Sequence, residues 1–199
     1  MVDRSFVNPL PKELRDLSPG LKILNLGCGS DEFGTCRMDF VETPTTTHVG
    51  DIQKKLPFND GEFDLVYMSF VIEHLTDPGQ VLREVHRIIK KDGRVVVLTD
   101  NAGFWGFHSG KYTKTLGKIH YGGYRAGNDM HMSLYTPEHL DNHLRLAGFT
   151  VKKIRYIKYS ESRSRDWWKK IVVGMADGFL NLVGLPQVAG YSIYAEGTK

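Results

Sequence analysis

Residues 65–99 of this chain contain two apolar runs separated by one stretch with a helical repeat. The runs Leu65–Ser69 and Arg94–Thr99 have the length and the apolar, β-branched content of buried strands. Between them, Asp77 and Pro78 supply a helix N-cap and a first-turn proline. The apolar residues that follow recur at helical spacing: Val81, Leu82, Val85, Ile88 and Ile89. A strand, an amphipathic helix and a second strand form a βαβ unit, so we expect a parallel sheet.

An earlier apolar run, Ile23–Leu26, stops at Gly27 and Gly29, which are one residue apart. This pattern is typical of a buried parallel strand that opens into a tight turn. A glycine can adopt positive φ and lets a ligand approach the main chain, so the turn is a candidate cofactor loop. An ordinary structural turn has the same pattern, and these residues alone do not distinguish the two.

Carboxylates follow the next two short strands of the predicted sheet. Asp39 lies only ten positions after Gly29, which leaves too little chain for a full crossover helix. A carboxylate at this strand end can accept both hydroxyls of a ribose, and an ordinary turn aspartate is the alternative. Asp51 follows the third strand, where it can bind the exocyclic amine of an adenine packed on Ile52 or Phe58, or simply end the strand.

Four segments in this order resemble the class I S-adenosylmethionine-dependent methyltransferases, in the small-molecule branch of that superfamily. They are Ile23–Gly29, Met38–Asp39, Gly50–Phe58 and Phe63–Leu75, and Glu84–Arg94 resembles the helix and turn before the fifth strand. The resemblance covers residues 21–100 and implies an α/β fold of the Rossmann-like methyltransferase type. The implied sheet has mostly parallel strands in the order 3-2-1-4-5-7-6, seven in all, with a shortened first crossover helix.

The resemblance also implies S-adenosyl-L-methionine as the cofactor. The cofactor-binding residues that it implies are Asn25, Gly27, Cys28, Gly29, Asp39, Phe40, Asp51, Ile52 and Ser69. Within this set the glycine turn wraps the methionine part, Asp39 holds the ribose, and Asp51 with Ile52 holds the adenine. The chain departs from the family at two positions: Asn25 stands where an acidic residue is frequent, and Asp31 stands where a third glycine is frequent.

Residues 101–135 are rich in glycine and aromatic residues and have no regular repeat. A long irregular segment at the strand ends of an open α/β sheet predicts a lid and acceptor-binding wall, and a packed insertion is the alternative. An acceptor hydroxyl or protonated amine needs a base, for which we select His131 first and His108 second. We expect no metal site, because His108, His120 and His131 are twelve and eleven positions apart with no accompanying cysteine or carboxylate pattern.

The C-terminal part contains an insertion, residues 160–188, between a sixth strand at Phe149–Tyr159 and a seventh at Tyr191–Ala195. Residues 165–186 have the pattern of an amphipathic helix that begins with paired tryptophans and lysines. Such a helix can lie on a bilayer with its basic residues on anionic headgroups, as a peripheral membrane contact. Packing on the sheet or a homodimer contact is the alternative that we favour.

Charge and cysteine content limit the cellular setting. The net charge is +3, and the basic character is concentrated between Lys152 and Lys170, where eight basic residues face two acidic ones. Cys28 and Cys36 do not make a disulfide framework, and no apolar run reaches the length of a membrane span. We therefore expect one domain, residues 1–199, that is soluble or peripheral and cytoplasmic.

Together these features favour S-adenosylmethionine-dependent methyl transfer to a small-molecule acceptor, which can be lipid- or sugar-linked. An RNA methyltransferase that uses the basic segment is an alternative, although the sequence contains no recognisable RNA-binding module or base-flipping motif. A non-catalytic binding or scaffold protein that keeps the fold is a hypothesis of a different class.

Overall fold

A computed structural model describes residues 10–104, 131–158, 167–185 and 190–199. Its sheet contains seven strands in the order β3-β2-β1-β4-β5-β7-β6. Their bounds are β1 Ile23–Leu26, β2 Cys36–Asp39, β3 His48–Val49, β4 Phe63–Ser69, β5 Ile89–Asp100, β6 Thr150–Ile157 and β7 Ser192–Thr198. Strands β1 to β5 pair in parallel, and β7 is antiparallel to both β5 and β6. The predicted fold class and strand order are confirmed.

The described helices are α1 Pro78–Ile88, α2 Pro137–Leu146 and α3 Trp167–Leu182. Helix α1 begins as the sequence predicts, because the Asp77 side chain accepts a hydrogen bond from the Gln80 amide at 2.8 Å. The apolar face of α1 is buried in the main core: Val81, Leu82, Val85 and Ile88. Burial of each of these side chains away from water contributes about 1.5–3 kcal/mol to the stability of the fold. Helix α1 is therefore a structural crossover that brings β5 beside β4.

No helix joins β1 to β2: residues 27–35, all described, form a loop. The Asp31 carboxylate accepts a hydrogen bond from the Phe33 amide at 3.0 Å, and Gly34 reverses the chain with φ +97°. Thr35 then returns to the sheet, where its hydroxyl accepts from the Ile23 amide at 2.9 Å. The shortened crossover that the spacing predicts is thus a loop whose ends are closed by side-chain hydrogen bonds.

Two local features differ from the sequence-based expectation. The prolines and the glycine that flank residues 12–17 predict a short helix, but the structure forms only a single 3-10 turn there, Lys12–Leu14. Strand β5 begins at Ile89 rather than at Arg94. Ile89 pairs with Phe63 of β4, and the pairing of the two strands then shifts in register before Leu65 pairs with Arg94. Asp92, with φ +64°, allows the chain to bend inside this irregular first part of the strand.

Glu13, in the 3-10 turn, joins the N-terminal segment to strand β6. Its carboxylate accepts two hydrogen bonds from Arg155, at 2.9 and 3.2 Å, and lies 3.0 Å from the Lys153 ammonium. Burial acts to raise the pKa of Glu13, but the bonds from Arg155 and Lys153 outweigh it and lower the pKa to about 2. The ionised form of Glu13 is therefore favoured in the folded state.

The Glu13→Gln variant tests this contribution to stability. Since the folded-state pKa lies below the unfolded value of about 4.3, the stabilisation is present above pH ~4.3 and is lost as the pH falls towards 2. We expect Glu13→Gln to lower the free energy of unfolding at pH 7 on the order of 2 kcal/mol, and the difference from wild type to shrink by pH 3. Urea unfolding at both pH values measures this. Glu42→Gln, at an exposed position, is the control, and a Glu13→Gln deficit independent of pH contradicts the assignment.

Helix α3 presents apolar side chains to solvent. The exposed residues on it recur at helical spacing: Ile171, Val172, Met175, Phe179 and Leu182. Asp177, in contrast, is buried. None of the helices in the described ranges is both long enough and apolar enough to cross a membrane. The helix predicted within residues 165–186 is thus present, and much of its apolar side does not pack on the sheet.

Candidate active site

The glycine loop between β1 and β2 is held on the end of β2 by main-chain hydrogen bonds. The amides of Gly27 and Cys28 both donate to the Met38 carbonyl, at 2.8 and 3.2 Å. The Gly29 amide donates to the Asp39 carboxylate at 2.7 Å. Gly27 and Gly29 have φ of +75° and +54°, the region that favours glycine. The glycine loop and Asp39, the acidic residue at the end of β2, therefore form one structural unit.

Gly27 also has no room for a side chain. A Cβ atom there would lie 2.4 Å from Cγ2 of Val71, which follows strand β4. The residue before Val71, Phe70, has φ +55°, an uncommon conformation for an aromatic residue. Strained backbone of this kind occurs where the surrounding structure fixes a functional site. The turn after β4 thus packs directly against the glycine loop.

The Asp39 carboxylate is buried and faces the loop. One oxygen accepts from Gly29, and the other accepts from the Val41 amide at 3.0 Å. A carboxylate has about four acceptor positions, so these two bonds leave capacity for ligand hydroxyls. The next residue, Phe40, keeps 50% of its surface exposed and supplies an open aromatic face at the same strand end.

Three threonines in the β2–β3 connection support the loop, and sequence analysis did not find them. The hydroxyls of Thr43 and Thr45 donate to the Gly29 carbonyl at 2.8 and 3.3 Å. Thr46 in turn lies 2.8 Å from the Thr43 hydroxyl. The Thr43 and Thr45 hydroxyls thus bind the carbonyl of Gly29, whose amide is bound by Asp39. The run of threonines at 45–47 was the available signal, but its partner could not be identified from the sequence.

The remaining predicted cofactor residues lie on the same edge of the sheet. Asp51 follows β3 and is exposed, with one oxygen accepting from the Gln53 amide at 3.0 Å. Ile52 is partly buried and packs against the core. Ser69 is the last residue of β4. Asn25 in β1 is 1% exposed, and its Nδ2 atom has no hydrogen-bond partner among the described residues. A buried amide of this kind is one that a ligand or a water satisfies.

A second group of polar side chains lies where β4 and β5 end. Glu73 and His74 belong to a 3-10 turn after β4, and Asp100 is the last residue of β5. His131 joins them: its ring centroid is 4.7 Å from that of His74, and its Nδ1 is 3.7 Å from Asp100 Oδ2. Burial raises the pKa of Asp100 to about 7. A histidine beside a buried carboxyl group can hold or accept a proton.

Main-chain bonds fix this second group. The amides of Met132 and Ser133 both donate to the Glu73 carbonyl, at 2.7 and 3.1 Å. Tyr135 forms a parallel bridge with Asn101, the residue after β5. Residues 131–135, which include His131, are therefore attached to both strand ends. The catalytic role of His131 stays a prediction.

Several predictions concern residues outside the described ranges or remain untested. His108, His120 and most of the predicted lid fall within residues 105–130, which lie outside them. The sequence analysis did not select Glu73 or Asp100, although Asp100 directly follows one predicted strand and Glu73 comes four residues after the end of another. The expectation that no metal binds was based only on the spacing of the histidines within residues 101–135 and on the residues next to them. It stays a prediction. Within the basic segment between Lys152 and Lys170, the side chains of Arg155 and Lys153 form ion pairs with Glu13.

Sequence comparison identifies the class to which this fold and site belong. A sequence model of the family described as "Methyltransferase domain" matches residues 4–154. The chain therefore belongs to this family, within the class I S-adenosylmethionine-dependent methyltransferases, as the resemblance implied.

The individual relatives match over shorter stretches. The ubiquinone/menaquinone biosynthesis C-methyltransferase UbiE of Geotalea uraniireducens is 51% identical over 43 residues, which are 22% of this chain and 18% of that protein. The chain spans between 18% and 49% of the length of the curated relatives that it matches.

Solved structures share the fold over nearly the whole chain. A Thermotoga maritima S-adenosylmethionine-dependent methyltransferase, described as a possible histamine N-methyltransferase, superposes with a TM-score of 0.63, covering 92% of this chain and 84% of the other at 18% identity. Phosphoethanolamine N-methyltransferase 2 of Haemonchus contortus, solved in complex with S-adenosyl-L-methionine, has a TM-score of 0.58, 14% identity and coverage of 94% and 50%.

Proposed function

We propose that this protein transfers a methyl group from S-adenosyl-L-methionine to a small-molecule acceptor. The observation that carries the proposal is that two clusters of residues with polar side chains lie on one edge of the sheet. The glycine loop with Asp39 lies at the ends of β1 and β2, and His131 with Asp100 lies at the ends of β4 and β5. In an open α/β sheet, ligands bind outside the carboxyl ends of the strands.

The residues of the first group fit this cofactor. Asp39 retains acceptor capacity for ribose hydroxyls, and Phe40 and Ile52 offer apolar surface for the adenine. Gly27 and Gly29 hold the loop in a positive-φ turn against Asp39, and the buried Asn25 amide is available to the polar end of the cofactor. When bound, the cofactor supplies an electrophilic methyl group on a sulfonium.

Because the methyl group is already activated, the contribution of the protein is positioning. Holding two reactants in line is worth roughly 7 to 11 kcal/mol in the best intramolecular cases. His131, with Asp100 beside it, is placed to take the proton of a hydroxyl or ammonium acceptor. The RNA alternative is less favoured, because Lys153 and Arg155 of the basic segment that it would use already bind Glu13.

A lipid-linked acceptor, a peripheral membrane contact and a cytoplasmic location are further parts of the proposal. The acceptor class is supported by the similarity to UbiE, a methyltransferase of ubiquinone/menaquinone biosynthesis, and by the exposed apolar side of α3. Binding to anionic vesicles tests the membrane contact, with Phe179→Ser expected to weaken co-sedimentation. Leu146→Ser, an exposed leucine on α2, is the matched control. Equal sedimentation of the two variants contradicts the membrane contact at α3.

The main test combines cofactor titration with labelled methyl transfer. Calorimetry with S-adenosyl-L-methionine separates binding from turnover, and a metabolite or lipid extract supplies acceptors for the labelled methyl group. We expect His131→Ala to lower kcat by about 10²- to 10⁴-fold with cofactor affinity unchanged. The exposed His139→Ala should retain both. Cofactor binding with no transfer to any extract supports the non-catalytic hypothesis, and a lack of cofactor binding contradicts the proposal.

A further inference from the structure

The side chains of Glu73, His74 and His131 form a group with the donors of a metal site. Each offers one ligand atom, and these atoms all lie within 4.8 Å of one another. Two imidazoles and one carboxylate are a donor set used for zinc and for other divalent first-row metals. We propose that Glu73, His74 and His131 bind one divalent transition-metal ion at the acceptor side of the active site.

The group is held together before any ion binds. Glu73 is 1% exposed, and its carboxylate accepts a hydrogen bond from the Thr99 hydroxyl at 3.0 Å. The bonds from Met132 and Ser133 to the Glu73 carbonyl join the two segments that carry the ligands. Asp100 lies beside one nitrogen of His131. A carboxylate next to an imidazole orients metal-binding histidines and fixes their tautomer.

Distance and charge both suit a small divalent ion. Three ligands of one tetrahedral ion at bond lengths of about 2.0–2.2 Å lie about 3.3–3.6 Å apart. The donor atoms here lie within 4.8 Å of one another, so they must close by up to about 1.5 Å, which side-chain rotation provides. Glu73 and Asp100 bring two buried carboxyl groups to the same place. An ion of charge +2 offsets the cost of burying them together.

The role of the ion rests on the proposed function, whereas its binding does not. Three protein ligands leave a position open for an oxygen of the acceptor. With His131 as a ligand and not the base, an acceptor hydroxyl bound at the open position would lose its proton to water more easily, because the ion would stabilise the oxyanion. The acceptor class that this site fits is therefore a molecule with a hydroxyl group at the methylated position.

The full chain, stripped with a chelator, is titrated with Co²⁺ and then with Zn²⁺. We expect one Co²⁺ per chain, visible d–d absorption, displacement by Zn²⁺ and a rise in Tm on binding. His74→Ala and His131→Ala should each weaken Co²⁺ binding at least 10-fold. Their Tm values without metal, measured against wild type, show that the chains are folded. These two variants are preferred to Glu73→Gln because Glu73 is buried.

Cys36→Ser is the matched control, because the Cys36 thiol lies 3.3 Å from His48 Nδ1 and could also attract a soft metal. Co²⁺ binding that survives both histidine variants, or that disappears in Cys36→Ser, overturns the site, as does an absence of binding to wild type. Calorimetry with S-adenosyl-L-methionine on the same preparations separates the two proposals. If the wild-type chain binds the cofactor but no Co²⁺, the metal site alone is overturned. If it binds Co²⁺ but no cofactor, the proposed function alone is overturned.

Discussion

Gly27→Ala should abolish measurable cofactor binding and lower the free energy of unfolding by about 3 kcal/mol. Two effects add at this position. The φ of +75° is strained for any residue with a Cβ, at about 1–2 kcal/mol. The new Cβ also lies 2.4 Å from Val71 Cγ2. A valine side chain cannot rotate away freely, since two heavy atoms on Cβ restrict its χ1 angle. The loop must therefore shift, and the amide of Gly29 moves with it.

Two further variants separate strain from contact. Gly20→Ala has the same strain, with φ +86°, but nothing lies within 4 Å of the added Cβ. We expect it to cost only about 1 kcal/mol and to leave cofactor affinity unchanged. The double variant Gly27→Ala/Val71→Ala removes the clashing atoms and should bind the cofactor better than Gly27→Ala alone. Urea unfolding and calorimetry measure both effects, and equal losses at Gly20 and Gly27 would show that the contact with Val71 is unimportant.

Asp39→Asn is expected to weaken cofactor binding by about 30-fold or more and to lower stability by about 2 kcal/mol. Both carboxylate oxygens accept from main-chain amides, those of Gly29 and Val41. In asparagine an NH₂ group replaces one of these oxygens. The main-chain N–H of Gly29 or of Val41 then faces another donor and loses its hydrogen bond. The charge-assisted bond to the loop is lost, and with it the negative charge available to ribose hydroxyls.

Asp31→Asn is the matched control for this change. Asp31 lies in the same loop and accepts a single hydrogen bond, from the Phe33 amide to Oδ1. An asparagine keeps that acceptor, so stability and cofactor affinity should stay near the wild-type values. If Asp39→Asn binds S-adenosyl-L-methionine as well as Asp31→Asn does, the ribose assignment is wrong, whatever happens to stability.

The elements of the cofactor-binding half follow from local sequence. The run Ile23–Leu26, the repeat in α1 and the β-branched residues of β5 each predict their own structure, because hydrophobic periodicity acts over a few residues. The strand order and the shortened first crossover were also predicted, the order from the resemblance and the crossover from ten residues between Gly29 and Asp39. The bounds of β5 were less accurate, because pairing with Phe63 extends the strand beyond its apolar part.

By itself, the sequence determined the parallel sheet, the glycine turn and the acidic strand ends, since these depend on residue type and near neighbours. Only the tertiary structure decided which side chains meet. It joins the Asp39 carboxylate to the Gly29 amide, the Thr43 hydroxyl to the Gly29 carbonyl, and Glu73 and Asp100 to His131. The physical reason is that parallel strands bring their carboxyl ends to one edge, so residues distant in sequence become neighbours there. Hydrophobic periodicity predicts a strand, but the contacts of its last residue depend on which strand lies beside it.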